Sequence, residues 1–195
     1  MRLLIMGPPG AGKGTQALRI SEHYGIPAIS TGDIFRAMKT ADSPLAQQLR
    51  AIVDTGGYVS DEITNEIVAE RLSQSDCAAG FLLDGYPRTL QQVEALDEVL
   101  DSQGKALDAV VSLIADADAV VDRLLRRANI EGRTDDTADT IRRRLAIYAL
   151  ETEPLLEVYR TRGSLVEVDG LGAIDEVSAR LFAALDARRN EPATQ

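Results

Sequence analysis

Nine residues near the amino end carry the clearest chemistry: Gly7-Pro8-Pro9-Gly10-Ala11-Gly12-Lys13-Gly14-Thr15. Glycines at this density let the backbone curl until successive N–H groups face inward. A helix opening at the end of such a loop adds its own unpaired N–H groups, so the whole is a cradle for an anion. Lys13 contributes a full positive charge on a flexible stem. The chain has 21 basic residues but only three lysines, Lys13, Lys39 and Lys105, so a lysine at this point is a selective feature. One departure from the general phosphate-loop pattern matters. Ser or Thr normally follows the lysine directly, whereas here Gly14 intervenes before Thr15. A direct hydroxyl ligand to Mg²⁺ is therefore not assured, and the ion is expected to rest mainly on nucleotide phosphates and water.

The elements around this loop are those it needs. The apolar run Leu3–Met6 predicts a buried strand before it, and Ala17, Ile20 and Tyr24 predict a helix over 15–24 after it, broken by Gly25 and Pro27. Further strands are predicted at 28–30, 81–84, 109–114 and 164–168. Helices are predicted at 61–72, with Ser60 as N-cap, and at 89–100, 117–128 and 174–185. A long helix is expected over about 138–160, bent at Pro154. The segment 31–60 is expected to hold short helices, and 188–195 reads as a frayed polar tail. Strands alternating with helices imply an α/β fold: a parallel sheet of five strands covered on both faces. Ligands on such sheets bind at the carboxyl ends of the strands, where the glycine loop, the segment after Asp84 and the turn after Val168 all begin.

Four motifs then stand in order: the glycine loop, Ile29-Ser30-Thr31-Gly32-Asp33-Ile34-Phe35-Arg36, Leu83-Asp84-Gly85-Tyr86-Pro87-Arg88, and the arginine-rich stretch from Arg123 to Arg144. Together they resemble the nucleoside monophosphate kinases, P-loop enzymes, over the chain to about Leu185. Among these the sequence is most similar to bacterial adenylate kinases. The resemblance implies one core domain (1–195) with two insertions, an AMP-binding flap at 30–59 and a short lid over ATP at 126–136. It implies reversible phosphoryl transfer from Mg-ATP to AMP, giving two ADP. Gly10, Ala11, Gly12, Lys13, Gly14, Thr15 and Arg127 would hold ATP phosphates, with Arg123 and the turn at Gly172 beside the adenine. Thr31, Arg36, Arg88 and Gln92, with Gly57, Tyr58, Val59, Gly85, Tyr86 and Pro87, would hold AMP. Arg133 and Arg144 would descend on the phosphates as the lid closes. Asp84 and Asp33 would order Mg²⁺ through water. Many relatives carry zinc-binding cysteines in a longer lid; this lid is short and has none, so no zinc site is expected.

These residue types suit that reaction. The attacking oxygen of AMP phosphate is already ionised, so no general base is needed, and the single histidine, His23, reads as a packing or surface residue. The obstacle is the mutual repulsion of two anions and the charge spread over the transferred group. Positioning and fixed positive charge overcome it, which makes Lys13, Arg88, Arg127, Arg133 and Arg144 the expected catalytic set. Arginine forks match phosphate oxygens in pairs and stay charged when buried. Bland readings compete at some positions. Arg142, Arg143 and Arg144 are consecutive on a helix and cannot all face one site. Thr89 and Gln92 also fit a capping box.

Composition narrows the alternatives. A formal net charge of −10 disfavours nucleic-acid and anionic membrane partners, which would be repelled. A single cysteine, Cys77, excludes an internal disulfide. A cytoplasmic monomer using ATP, AMP and ADP is expected. A UMP/CMP or GMP kinase is the nearest rival; Thr31 and Gln92 favour AMP, since UMP/CMP kinases usually carry Ala and Asn at the matching positions. A GTPase-type switch is disfavoured because the chain contains no Asn-Lys pair.

Overall fold

The computed structural model describes residues 1–38, 52, 55, 57–115, 120, 123–124 and 137–190. Five strands, β1 (Arg2–Met6), β2 (Ala28–Ser30), β3 (Phe81–Asp84), β4 (Ala109–Ile114) and β5 (Leu165–Asp169), form one sheet in the spatial order β2-β3-β1-β4-β5. All neighbouring pairs are parallel. The chain leaves β1 to build one side of the sheet, then returns to build the other. The carboxyl end of β1 is therefore the switch point, where such sheets form a crevice.

Burial on both faces explains the uninterrupted apolar strands. Leu3 and Ile5 face α1 (Lys13–Tyr24) and the last helix, packing with Ala17, Ile20, Leu181 and Leu185. Leu4 and Met6 alternate to the opposite face and meet Val68, Val93, Leu96 and Tyr159. That second face is covered by α3 (Asp61–Leu72), α4 (Leu90–Asp101) and α6 (Leu155–Thr161). Each fully buried leucine of β1 contributes about 1.5–3 kcal/mol relative to exposure. Helix α2 (Thr31–Met38) follows β2 without a break, and its Phe35 packs with Val59 outside the two main clusters.

The structure differs from the sequence expectations in three places. Ser60 occupies the N-cap of α3, but its hydroxyl makes no capping bond; its carbonyl instead accepts from the Thr64 N–H at 3.0 Å and the Thr64 hydroxyl at 2.9 Å. The expected single helix over 138–160 is divided into α5 (Ala138–Ile147), a π-helical stretch (Tyr148–Thr152) and α6. A proline lacks an N–H, and its ring clashes with the carbonyl four residues back, so the strain falls on the turn before Pro154. That turn widens, and the Glu153 N–H bonds Tyr148 O, five residues back, at 2.9 Å. Lastly, α7 (Ile174–Asn190) runs past the expected end, so the tail does not begin at Arg188. Leu185 anchors it in the core, and Arg188 Nε donates to Asp108 O at 3.1 Å. The expected helix over 117–128 is described only at Val120, Arg123 and Leu124, which are helical. Among the described residues no helix is long and apolar enough to cross a membrane.

Cys77 is buried beside Arg71, whose Nη1 lies 3.0 Å from Sγ. Burial pushes the thiol pKa up, with the Arg71 charge opposing. Less thiolate is then present near neutral pH, and the thiolate is the reactive form. Iodoacetamide should label native protein at least about tenfold more slowly than urea-unfolded protein; equal rates by mass spectrometry would contradict the buried placement.

Candidate active site

The loop from Gly7 to Gly12 leaves β1 and turns directly into α1. Gly12 takes the N-cap position in a left-handed conformation (φ 93°), with no side-chain cap and no acid in the first turn. The first N–H groups of α1 are thus left open toward the positive end of the helix dipole, an arrangement suited to phosphate. Gly10 is required by contact as well as by its φ of 85°: a Cβ there would lie 2.9 Å from both the Val120 carbonyl and the Leu124 side chain. Lys13 Nζ arches back over the loop to Gly7 O at 2.7 Å and Pro8 O at 3.0 Å.

The β1–β3 register sets Ile5 opposite Asp84, so the turn after β3 emerges beside the loop. Burial pushes the Asp84 carboxyl above the usual carboxylate range, with Lys13 and then Arg88 pulling the other way. The next residue organises two of the expected AMP ligands. Gly85 O accepts the Thr31 hydroxyl at 2.9 Å and Arg88 Nε at 2.7 Å. The Arg88 guanidinium also lies over the Tyr58 ring, 4.6 Å from its centroid. Thr152, on the π-helical stretch, donates to Arg88 O at 3.0 Å and accepts the Tyr58 hydroxyl at 3.1 Å. Arg88 is therefore held from three sides.

Gln92 is 2% exposed. Half of the expected capping box forms: Thr89 Oγ1 accepts the Gln92 N–H at 3.2 Å. The Gln92 side chain does not return to Thr89. Its Oε1 accepts the Arg88 N–H at 2.7 Å, and its Nε2 donates to Asp61 Oδ1 at 2.6 Å. Tyr86 is buried, and its one O–H donates to Asn65 Oδ1 at 2.8 Å or to Gln92 O at 3.1 Å.

These groups wall one cavity of about 1050 Å³, large enough for more than one small ligand. Its walls include Gly10, Gly12, Lys13, Gly14 and Thr15 on one side. Thr31, Asp33, Arg36, Gly57, Tyr58, Val59, Asp84, Gly85, Tyr86, Pro87, Arg88 and Gln92 stand opposite, and Arg123 and Arg144 complete it. Arg36 is paired with Asp33. Arg142 points away and pairs with Asp139 at 2.8 Å, so Arg144 alone of the consecutive arginines lines the cavity. Arg123 Nη1 donates to Gly170 O at 3.4 Å. Two expected residues are not in the walls. Ala11 packs its methyl into the core, and Gly172 faces Glu176 and Arg180. The turn instead approaches the loop through Gly170, where a Cβ would stand 3.4 Å from Ala11 O. Arg126, Arg127, Gly132 and Arg133, with the whole segment 126–136, lie outside the described residues, as does Gly56. His23 stacks on Phe182 at 4.1 Å and is not in the cavity walls.

Sequence reasoning missed Thr152 and Asp61. Thr152 carries no local motif. Asp61 was legible only as an acid in the first turn of a helix, because its partners lie 28 and 31 residues further on.

A glycine loop at the central strand of a five-stranded parallel sheet, opening into a cation-lined cavity, is the architecture of a P-loop kinase. The profile of the family described as "Adenylate kinase" matches residues 5–164. Curated proteins named adenylate kinase align over nearly the whole chain. That of Leifsonia xyli subsp. xyli is 58% identical over 98% of this chain and 96% of its own length. The Clavibacter michiganensis subsp. michiganensis protein is 58% identical over 99% and 96%. The Nocardioides sp. protein is 58% identical over 95% and 97%. The chain belongs to the adenylate kinase family: it is a phosphotransferase that converts ATP and AMP to two ADP, in a family that uses Mg-ATP.

Gly85 gives a direct check on the pinning of Arg88. A Cβ there would lie 2.9 Å from both Thr31 Oγ1 and Arg88 Nη2, at a φ of 82°. Gly85→Ala should displace the Arg88 fork and lower kcat/KM for AMP by about 10²-fold. Steady-state kinetics that match wild type would contradict this.

Proposed function

We propose that ATP and AMP meet within the cavity, with ATP phosphates on the Gly10–Thr15 loop and AMP in the pocket of Thr31, Arg36, Gly57, Tyr58, Val59, Gly85, Arg88 and Gln92. The observation that carries this reading is the open first turn of α1, with Lys13, in one cavity with the pinned guanidinium of Arg88. Backbone N–H groups and Lys13 would take up charge on the donor phosphates. Arg36 and Arg88 would hold the acceptor phosphate, and Arg144 would bear on the transferred group. The acceptor phosphate oxygen is itself the nucleophile, so no side chain has to remove a proton. The protein's contribution is to align two anions in line and to offset the charge of the transition state with groups already in position.

The donor set fits Mg²⁺. Asp84 is a half-buried, partly desolvated carboxylate whose charge a cation would offset, and a Cβ at Gly14 would be only 3.8 Å from its oxygen, which brings it against the loop. Among the described residues no cluster of three or more His, Cys, Asp or Glu could form an all-protein cage. The ion would thus be held by phosphates, with Asp84 and Asp33 acting through water. When bound it neutralises phosphate charge.

We take 30–59 as the AMP flap and 126–136 as a lid that excludes water when it closes. The roles of Arg127 and Arg133, and of Gly172 beside the adenine, rest on the sequence resemblance alone. We read the enzyme as a cytoplasmic monomer, with polyanionic partners disfavoured by its charge of −10.

The test is ADP formation from Mg-ATP with AMP, UMP, CMP and GMP in parallel. AMP should be strongly preferred. Arg88→Ala should lower turnover by about 10³-fold. Equal rates with UMP or CMP would overturn the roles given to Thr31 and Gln92, and an unaffected Arg88→Ala would overturn the AMP phosphate site.

A further inference from the structure

The Gln92 amide has two ends of nearly equal shape and opposite hydrogen-bonding character, and its surroundings admit one orientation. Its oxygen faces the Arg88 backbone N–H, which can only donate. Its nitrogen faces Asp61 Oδ1. The other Asp61 oxygen accepts the Thr89 hydroxyl at 2.7 Å, so both carboxylate oxygens are met by donors. Thr89 is fixed in turn as the N-cap of α4. A flipped amide would set donor against donor at Arg88 and acceptor against acceptor at Asp61.

An amide oxygen accepts two hydrogen bonds and an NH₂ group donates two. With one of each used internally, one acceptor position and one N–H remain for a ligand. That pair matches the edge of a 6-aminopurine, whose amino group donates and whose N1 accepts. A 6-oxopurine presents the reverse: O6 accepts and N1–H donates. It would require the flipped amide.

We propose that Asp61 is a specificity-determining positioning residue, which discriminates 6-aminopurine from 6-oxopurine acceptors by locking the Gln92 amide. The inference rests on the reading that Gln92 meets the acceptor base, and goes beyond it by naming what fixes the sense of that recognition from α3. In Asp61→Asn the new amide can offer either an oxygen or an NH₂ group to Gln92, so the clash at position 61 is lifted and only the Arg88 N–H still opposes the flip.

The experiment measures kcat/KM for AMP and for inosine monophosphate, with Mg-ATP, in wild type, Asp61→Asn, Asp61→Ser, Asp61→Glu and Gln92→Leu. The ratio of the two values from one preparation is independent of the fraction of folded enzyme. Asp61→Asn and Asp61→Ser should lower the AMP-to-IMP ratio by about tenfold or more, and Asp61→Glu, which keeps a carboxylate, should recover part of it. A merely structural Asp61 would depress both substrates alike. An unchanged ratio in the Asn and Ser variants, with the ratio altered in Gln92→Leu, overturns the lock and leaves Gln92 as the base reader. An unchanged ratio in Gln92→Leu overturns the base-reading role and the lock with it.

Discussion

The register between β1 and β3 is the constraint on which the site depends. With Ile5 opposite Asp84, two loops of unrelated sequence leave the sheet at the same level and face each other. A slip of one residue would turn Leu3 and Leu4 to the wrong faces and separate the loops. Both cores oppose that slip, because each face of β1 is packed by a different set of helices. The stability of the sheet and the geometry of the cavity mouth are thus the same set of contacts, seen from the middle and from the end of the strand.

Above the sheet, positioning passes from backbone to side chain. Gly85 offers one carbonyl to Thr31 and Arg88, and Thr152 offers one hydroxyl to Arg88 and Tyr58. Each acts as a junction between elements distant in sequence. The widened turn before Pro154 belongs to this scheme, since it is the stretch that carries Thr152 to Arg88. An irregularity that follows from proline chemistry has become part of the support for Arg88.

What the sequence made legible follows from the range of each interaction. The phosphate loop could be read because its glycines, lysine, preceding strand and following helix are contiguous. The buried strands could be read because they are covered on both faces. Gln92 was ambiguous between cap and ligand because half of a capping box is present; its actual partners, Arg88 N–H and Asp61, follow only from the fold. An acid in the first turn of a helix needs no partner beyond the helix dipole, so the letter Asp61 discloses nothing of Thr89 and Gln92. The helix over 138–160 was placed correctly at its ends and at its interruption, since Pro154 is the N-cap of α6; the widened turn before it has no letter of its own. Of the two glycines in the turn after β5, Gly170 approaches the loop and Gly172 takes a left-handed φ of 113°, a division that two identical glycine letters do not disclose.

The division of labour between lysine and arginine has one more consequence. Among the described residues the cavity has one ammonium, Lys13, and it is folded onto two backbone carbonyls. Lys105 is engaged with Gln103 on the surface. The other positive charges of the cavity walls are guanidinium groups, on Arg36, Arg71, Arg88, Arg123 and Arg144. Acetylation and related acyl transfers neutralise amines. Among the described residues the electrostatic field of this site is therefore exposed to such damage at a single atom, and the remaining positive charge there is of a kind that lysine acylation does not reach.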